Sequence, residues 1–181
     1  MNFNVASFML TTRMIVLDNW NTLTLADAAM ALLPCCGSTA WAADVASRRP
    51  LATLPELLAA SDAAWWSLTE ENWTDAFNAH PRIGERHAQS NPTAASLAWS
   101  AAEQSAAMTD EAVQAALAAG QLAYEQRFHR IFLVRAAGRS AQQILTELQR
   151  RMTNTAEAEL HEAAEQQREI THLRLQKWLT A

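Results

Sequence analysis

The sequence predicts an all-α fold, a single-domain bundle of about eight helices. The chain has 181 residues and 20.0 kDa, enough for one domain with a sizeable core. Only 4 Gly and 5 Pro interrupt an alanine-rich chain, which favours helix and leaves little room for the turns of a β-sandwich. The periodic pattern starts after Met14. Residues 14–181 are therefore predicted to form the domain, and residues 1–13 an N-terminal extension.

Capping residues and prolines divide the chain into successive helices. The predicted helices cover residues 24–33, 39–47, 53–68, 70–79, 97–107 and 110–128, one that begins at 140, and one from 154 to 179. Pro34 closes the first helix, and Ser38 has the side chain of an N-cap for the second. Pro55 lies in the first turn of the third helix, where its missing N–H costs nothing. Pro81 ends the fourth, because a residue before proline is disfavoured in the α conformation.

Further signals mark the C-terminal half of the chain. Ser140 and Gln143 form an S-x-x-Q pattern, which is typical of a capping box. Asn154, with Glu157 three residues later, is predicted to cap the last helix. Residues 129–137, HRIFLVRAA, contain a β-branched run that would suit a strand. Because no partner strand is available, a buried helix is favoured for this stretch.

Composition excludes several classes of function. Fourteen Lys+Arg against nineteen Asp+Glu give a formal net charge of −5, without the basic stripe that nucleic-acid binding needs. No apolar run approaches the roughly 20 residues of a membrane span, and no signal peptide is recognised. Cys35 and Cys36 are adjacent and have no distant disulfide partner, so buried, reduced thiols in the cytoplasm are expected. The segment HEAAE (161–165) lacks the second histidine of a zinc motif, and no metal site is predicted.

The candidate chemical residues lie around residues 81–95, the longest polar stretch, which is predicted to be an ordered loop. His80 closes a helix at the edge of this loop, where the helix dipole would favour imidazolium and suit a general acid. A capping histidine without chemistry is the alternative. Ser100, Glu103 and Gln104 share one helix face and could form a hydrogen-bonding wall for a polar, amide-rich ligand. The alternative for these three residues is a solvated face.

Arg174 rises from the apolar stripe of the last helix, four residues after Ile170 and four before Trp178. An arginine on a buried face is uncommon unless it is paired, and its guanidinium geometry suits a carboxylate. The alternative is that the side chain extends along the stripe to reach solvent.

Several strings of residues occur in the order typical of one enzyme family. They are CCGSTAWA (35–42), RRPLATLPELL (48–58), WTDAFNAHPRIG (73–84), WSAAEQ (99–104), YEQRF (124–128), AGRS (137–140) and EITHLRL (169–175). With these strings the chain resembles the OHCU decarboxylases, which act on 2-oxo-4-hydroxy-4-carboxy-5-ureidoimidazoline in urate (purine) catabolism. The combination of HPRIG with SxxEQ is the most specific part of this resemblance.

The resemblance implies an all-α carboxy-lyase, usually a homodimer, that forms (S)-allantoin from its small-molecule substrate without a cofactor. It implies His80 as the catalytic acid, with Glu103 orienting or charging His80 or polarising the substrate hydroxyl. The implied substrate-binding residues are Pro81, Ser100, Glu103, Gln104, a backbone-contact segment Phe132, Leu133, Val134, Arg135 and Ala136, and Arg174 for the anionic side. The chain departs from the family at His129, usually Gly, and at Arg135, usually Cys, where an inward side chain would alter substrate preference.

The reaction is chemically consistent with these residues. Loss of CO2 leaves an enolate-like carbanion that the substrate's own carbonyl and ring nitrogen can delocalise, so no pyridoxal, thiamine or metal is required. The protein has to supply orientation, donors for the developing oxyanion and one proton on one face. Two other functions stay open. One is an inactive homologue that serves as a ligand-binding or helical interaction module, and the other is a metal-dependent ureide hydrolase, for which the chain lacks ligands.

Overall fold

The computed structural model describes residues 15–85, 88, 92–104 and 111–180, and over these ranges the chain forms nine helices and no strand. The helices are α1 (15–22), α2 (Leu25–Cys36), α3 (Thr39–Ser47), α4 (Leu54–Ser67), α5 (Glu70–Asn78), α6 (Ala94–Gln104), α7 (Glu111–Phe128), α8 (Ala141–Arg151) and α9 (Ala156–Trp178). The predicted all-α fold is confirmed. None of the helices in the described ranges has the length and apolar character needed to cross a membrane.

Several helices begin at the residues predicted from the sequence, because capping side chains fix their starts. Ser38 Oγ accepts a hydrogen bond from the N–H of Trp41 at the start of α3. Thr53 caps α4 in the same way, with a proline in its first turn. Ser140 and Gln143 form both hydrogen bonds of the predicted capping box, at 3.2 and 2.8 Å. These boundaries were predictable because the interactions that set them span only three residues.

Two predicted helix boundaries were wrong, the end of α2 and the start of α9. Helix α2 continues through Pro34 to Cys36, because the carbonyl that loses its N–H partner belongs to Met30 on the exposed side of the helix, where water can replace the bond. Helix α9 is capped by Thr155 rather than Asn154, since the Thr155 hydroxyl accepts from the helix backbone. The Asn154 amide instead donates to two carboxylates of α9, each at 2.8 Å.

Residues 129–137 do not form the buried helix that the sequence favoured. His129 has a φ of 56°, in the left-handed region, and follows the last residue of α7. Side chains after it alternate between two hydrophobic clusters: Ile131 and Leu133 belong to one, and Phe132, Val134 and Ala136 to the other. This alternation is that of an extended backbone, whose successive side chains point to opposite sides. An extended run buries all five side chains, whereas a helix would bury mainly one face.

The larger hydrophobic cluster contains the anchors that hold α9 against the N-terminal helices. Trp20, Trp41 and Trp65 are almost fully buried, and each indole N–H donates to a backbone carbonyl. The Trp65 bond, 3.0 Å to the carbonyl of residue 164, joins α4 to α9. Cys35 and Cys36 lie in this cluster as free thiols, and burial raises the pKa of both. Trp20 belongs to α1, so the domain includes residues 15–22, whereas the predicted extension 1–13 lies outside the described residues.

Candidate active site

A cleft between the end of α5, helix α6, the extended segment 131–136 and α9 gathers most of the residues singled out from the sequence. Its lining consists of His80, Pro81, Ile83, Ser100, Glu103, Gln104, Phe132, Leu133, Val134, Ala136 and Ile170. The empty space between these residues, counted out to the open mouth, is about 320 Å³. Of the predicted site residues, only Arg135 and Arg174 do not line the cleft.

His80 lies just beyond the C-terminal end of α5, with its backbone N–H bonded to the carbonyl of Phe77 at 3.0 Å. Its side chain is buried, and Nε2 has no hydrogen-bond partner among the described residues. Burial lowers the pKa of His80 well below 6.5, and the positive charge of Arg174 lowers it further. The expectation that the helix dipole favours imidazolium was therefore wrong, because desolvation outweighs the dipole. The lowered pKa favours the neutral imidazole.

Glu103 is held by two cations of α9. Its carboxylate oxygens lie 3.3 and 3.1 Å from Nε and Nη2 of Arg174, and Lys177 Nζ approaches Oε1 at 3.1 Å. The Glu103 side chain is only 9 % exposed, so the helix face that carries it is not a solvated one. Two cations against one carboxylate leave a net positive charge at this end of the cleft. Lys177 was not singled out from the sequence, although its position three residues after Arg174 places it on the same helix face.

Arg174 is buried rather than extended to solvent, with 1 % of its side chain exposed. Besides Glu103, its guanidinium donates to Ser96 Oγ at 3.2 Å and to Ser100 Oγ at 2.9 Å. The prediction of a paired arginine that rises from an apolar stripe is confirmed. The guanidinium lies behind Ser100 and Glu103, so it acts on the cleft through its charge and through the side chains that it holds.

The backbone of the HPRIG stretch is fixed by amide side chains from α6 and α7. Gln121 accepts from the N–H of Ile83 at 2.9 Å and donates to its carbonyl at 3.0 Å. Gln104 accepts from the N–H of Gly84 at 2.9 Å. Arg82 forms a bidentate pair with Glu125, at 2.5 and 2.8 Å. This part of the predicted loop is ordered by specific bonds, and residues 86, 87 and 89–91 lie outside the described residues.

The extended segment 131–136 forms the opposite wall of the cleft. The N–H of Arg135 donates to Gln166 Oε1 at 3.0 Å, and Arg151 Nη1 donates to the carbonyl of Leu133 at 2.7 Å. The Arg135 side chain pairs with Glu169 at 3.1 Å and is 39 % exposed, so it does not enter the cleft. At His129, the other departure from the family pattern, the left-handed backbone is one that glycine adopts most readily.

The described residues include no group of three or more His, Cys, Asp or Glu side chains placed to hold a metal ion. The cleft presents an imidazole, a cation-paired carboxylate, a hydroxyl, an amide and backbone groups. Such a set can bind a polar, anionic heterocycle and transfer protons on it.

Comparison with known proteins gives consistent results. The family model described as OHCU decarboxylase matches residues 21–176. The uric acid degradation bifunctional protein TTL of Arabidopsis thaliana is 32% identical over 144 residues, which are 79% of this chain and 44% of the relative, so the chain spans less than half of that protein's length. A crystal structure of OHCU decarboxylase in the presence of (S)-allantoin is 30% identical, with a TM-score of 0.71 over 82% of this chain and 96% of that one. A crystal structure of (S)-allantoin synthase, 17% identical, shares the fold with a TM-score of 0.68 over 90% and 53% of the two chains.

Proposed function

The chain belongs to the OHCU decarboxylase family, and from this membership we propose that it decarboxylates 2-oxo-4-hydroxy-4-carboxy-5-ureidoimidazoline to (S)-allantoin without a cofactor. The observation that carries the proposal is the convergence of the family's motif residues on one cleft. His80 comes from the end of α5, Glu103 from α6 and the opposite wall from residues 131–136. These elements are distant in sequence, and a helical scaffold alone has no need to bring their polar groups together.

The charges of the cleft suit an anionic substrate. Arg174 and Lys177 surround Glu103 and leave one positive charge uncompensated, which favours a carboxylate nearby. The Glu103 carboxylate can accept hydrogen bonds from N–H groups of the ring and the ureido group, and the Gln104 amide can both accept and donate. We place the carboxylate of the substrate at the cationic end and its ureido group toward residues 131–136.

The substrate's name defines the proton transfers required. Carbon 4 carries both the carboxylate and a hydroxyl, and carbon 5 carries the ureido group. When the bond from carbon 4 to the carboxylate breaks, CO2 leaves and the electron pair moves into a double bond between carbons 4 and 5. The π bond between carbon 5 and the ring nitrogen breaks at the same time, and its electron pair takes up a proton from solvent at that nitrogen. Formation of the carbonyl then needs the hydroxyl proton to leave and a proton to arrive at carbon 5.

His80 can perform both transfers in sequence. As a neutral imidazole it accepts the hydroxyl proton, and as the resulting imidazolium it delivers a proton to carbon 5 on one face. Burial, which lowers its pKa, makes the imidazolium a stronger acid for the second transfer. The histidine thus acts as the general acid only after it has acted as a base, and its fixed position in the cleft defines the stereochemistry.

The test is to supply the purified protein with substrate made in situ from urate by urate oxidase and hydroxyisourate hydrolase. Circular dichroism then follows substrate decay and the accumulation of (S)-allantoin. We expect His80→Gln to lower kcat by at least about 100-fold with the fold retained. His172→Gln is the matched control, because His172 pairs with Asp62 at the surface, outside the cleft.

Decay to racemic product at the rate observed without protein would refute the enzymatic function. That result would favour the inactive homologue, a module that binds a ligand through the same cleft. Unchanged turnover in His80→Gln would instead retain the enzyme and remove His80 from the mechanism. We also propose a homodimer, which the resemblance to the family implies, and a cytoplasmic location, which the two free cysteines favour. Analytical ultracentrifugation and cell fractionation would test these two proposals separately.

A further inference from the structure

We propose that Gln166 is a positioning residue for the cleft, which fixes the backbone of the extended segment 131–136 by accepting the N–H of Arg135. The inference rests on the proposed function, because the segment matters for catalysis only if the cleft that it lines binds the substrate. Gln166 lies on α9 and does not line the cleft itself.

The extended segment has no neighbouring strand among the described residues, so side chains supply the hydrogen bonds of one of its edges. Gln166 Oε1 accepts from Arg135 N at 3.0 Å, and Arg151 Nη1 donates to Leu133 O at 2.7 Å. In an extended backbone, residues two apart direct their N–H and C=O groups to the same edge. Residues 133 and 135 therefore direct their polar backbone groups toward α8 and α9. There the side chains of Arg151 and Gln166 form hydrogen bonds of the kind that a neighbouring strand would form.

The other edge is the one available to a ligand. Val134 and Ala136 are buried and line the cleft, yet no hydrogen bond to the N–H of either residue is formed within the described part of the chain. Buried backbone N–H groups are almost always paired in native proteins. A ureido group offers acceptors and donors in one plane, as a strand does, and can pair with this edge.

Gln166 contributes more to this arrangement than the neighbouring ion pair. Glu169, one turn further along α9, binds the Arg135 side chain, but that pair is more than one-third exposed and solvent weakens it. The Gln166 side chain belongs to a residue that is only 8% exposed. An acceptor that loses its bound water on burial costs free energy unless it forms a hydrogen bond within the protein. The position of the Gln166 amide and that of the backbone at residue 135 therefore depend on each other.

Three variants test this inference. Gln166→Leu removes the acceptor at similar volume, Gln166→Glu keeps an acceptor in the same place, and Gln176→Leu makes the same chemical change on the exposed face of α9. Two measurements are made on the full chain: hydrogen exchange of the Arg135 amide by NMR, and kcat and KM for the substrate generated in situ. Thermal melting checks that all three variants are folded.

We expect the Arg135 amide to exchange about five to ten times faster in Gln166→Leu, and at the wild-type rate in Gln176→Leu. The value of kcat/KM should fall at least about tenfold in Gln166→Leu, mainly through KM, because the segment binds the ureido group, whose own atoms take no part in bond breaking or proton transfer. Gln166→Glu should restore both quantities to within about threefold of wild type.

Unchanged exchange of the Arg135 amide in Gln166→Leu would overturn the inference. Faster exchange with unchanged kcat/KM would overturn the positioning role as well, since the bond would then serve only the fold. Absence of turnover in the wild-type protein would refute the proposed function instead. In that case the exchange rates alone would decide whether Gln166 fixes the segment.

Discussion

Replacing Arg151 by methionine should destabilise the fold by about 3–5 kcal/mol, because the change leaves a buried carboxylate without its cation. Arg151 and Glu159 are both fully buried, and Nε of Arg151 lies 2.8 Å from Glu159 Oε1. After the substitution Glu159 keeps, among the described residues, only the hydrogen bonds from Tyr124 and Asn154. The carbonyl of Leu133 also loses its donor.

Urea denaturation followed by circular dichroism measures this loss, provided that the slope of the free energy against urea stays the same. A chain of this length loses about 2–4 °C of Tm per kcal/mol, so a fall of about 6–20 °C is expected. Arg150→Met is the matched control. It removes the adjacent arginine, which is 51 % exposed and pairs with Glu147 and Glu162, and should cost less than about 1 kcal/mol.

Equal losses in Arg151→Met and Arg150→Met would refute the reasoning, since burial would then make no difference to the pair. The double variant Arg151→Met with Glu159→Gln supplies a second check. It removes the uncompensated charge, so it should be more stable than Arg151→Met alone. A double variant that is less stable would show that the cost lies in packing rather than in charge.

Three further predictions follow from the site. The value of kcat/KM should stay constant as pH falls through 6.5 and decline only at lower pH, because His80 with its lowered pKa remains a neutral base there; a decline centred near 6.5 would contradict this. Glu103→Gln should cost about 3 kcal/mol of unfolding free energy in urea, since its arginine partner is 1 % exposed, and a loss below about 1 kcal/mol would contradict the pairing. Gly37→Ala should cost at least about 2 kcal/mol, because φ is +86° and the new Cβ would lie 2.5 Å from Cβ of Ala79, next to His80. Gly138→Ala, with φ +80° and nothing within 4 Å, isolates the backbone strain, so equal losses of Tm in the two glycine variants would exclude the steric contact.

Local signals in the sequence predicted much of the fold. The caps at Ser38, Thr53 and Ser140 involve side chains and N–H groups three residues apart, so they depend on sequence alone. Helix α5 ends at Asn78, shortly before the dipeptide His80–Pro81, in agreement with the steric restriction that a proline places on the residue before it. The resemblance to a family added Pro81 and residues 132–136 to the candidate site, because motifs distant in the chain carry information on tertiary proximity that helical periodicity does not.

The errors arose where tertiary burial overrode a local tendency. The dipole of α5 acts on His80 over one turn, but desolvation by the packed cleft lowers its pKa and cannot be read from neighbours in sequence. The extended segment shows the same limit. A buried helix was favoured over a lone strand because the sequence offers no partner strand. In the structure the partners are the side chains of Gln166 and Arg151, which lie 31 and 18 residues from the groups that they bind.

The composition of α9 contained a signal for these partners. Its buried side includes the polar residues Glu159, Gln166, Gln167, Thr171 and Arg174, at intervals of one to seven residues, beside buried Ala163 and Ile170. An ordinary amphipathic helix keeps polar side chains on its solvated face, and each buried polar group has to be paired. In α9 the pairs extend to Tyr124, to the backbone of residue 135, to Cys36 and to Glu103. Arg174 was singled out because a polar side chain on a buried helix face has to be paired, and the same reasoning applies to Gln166. A helix with polar residues on its buried face therefore indicates the element that positions the residues of a site.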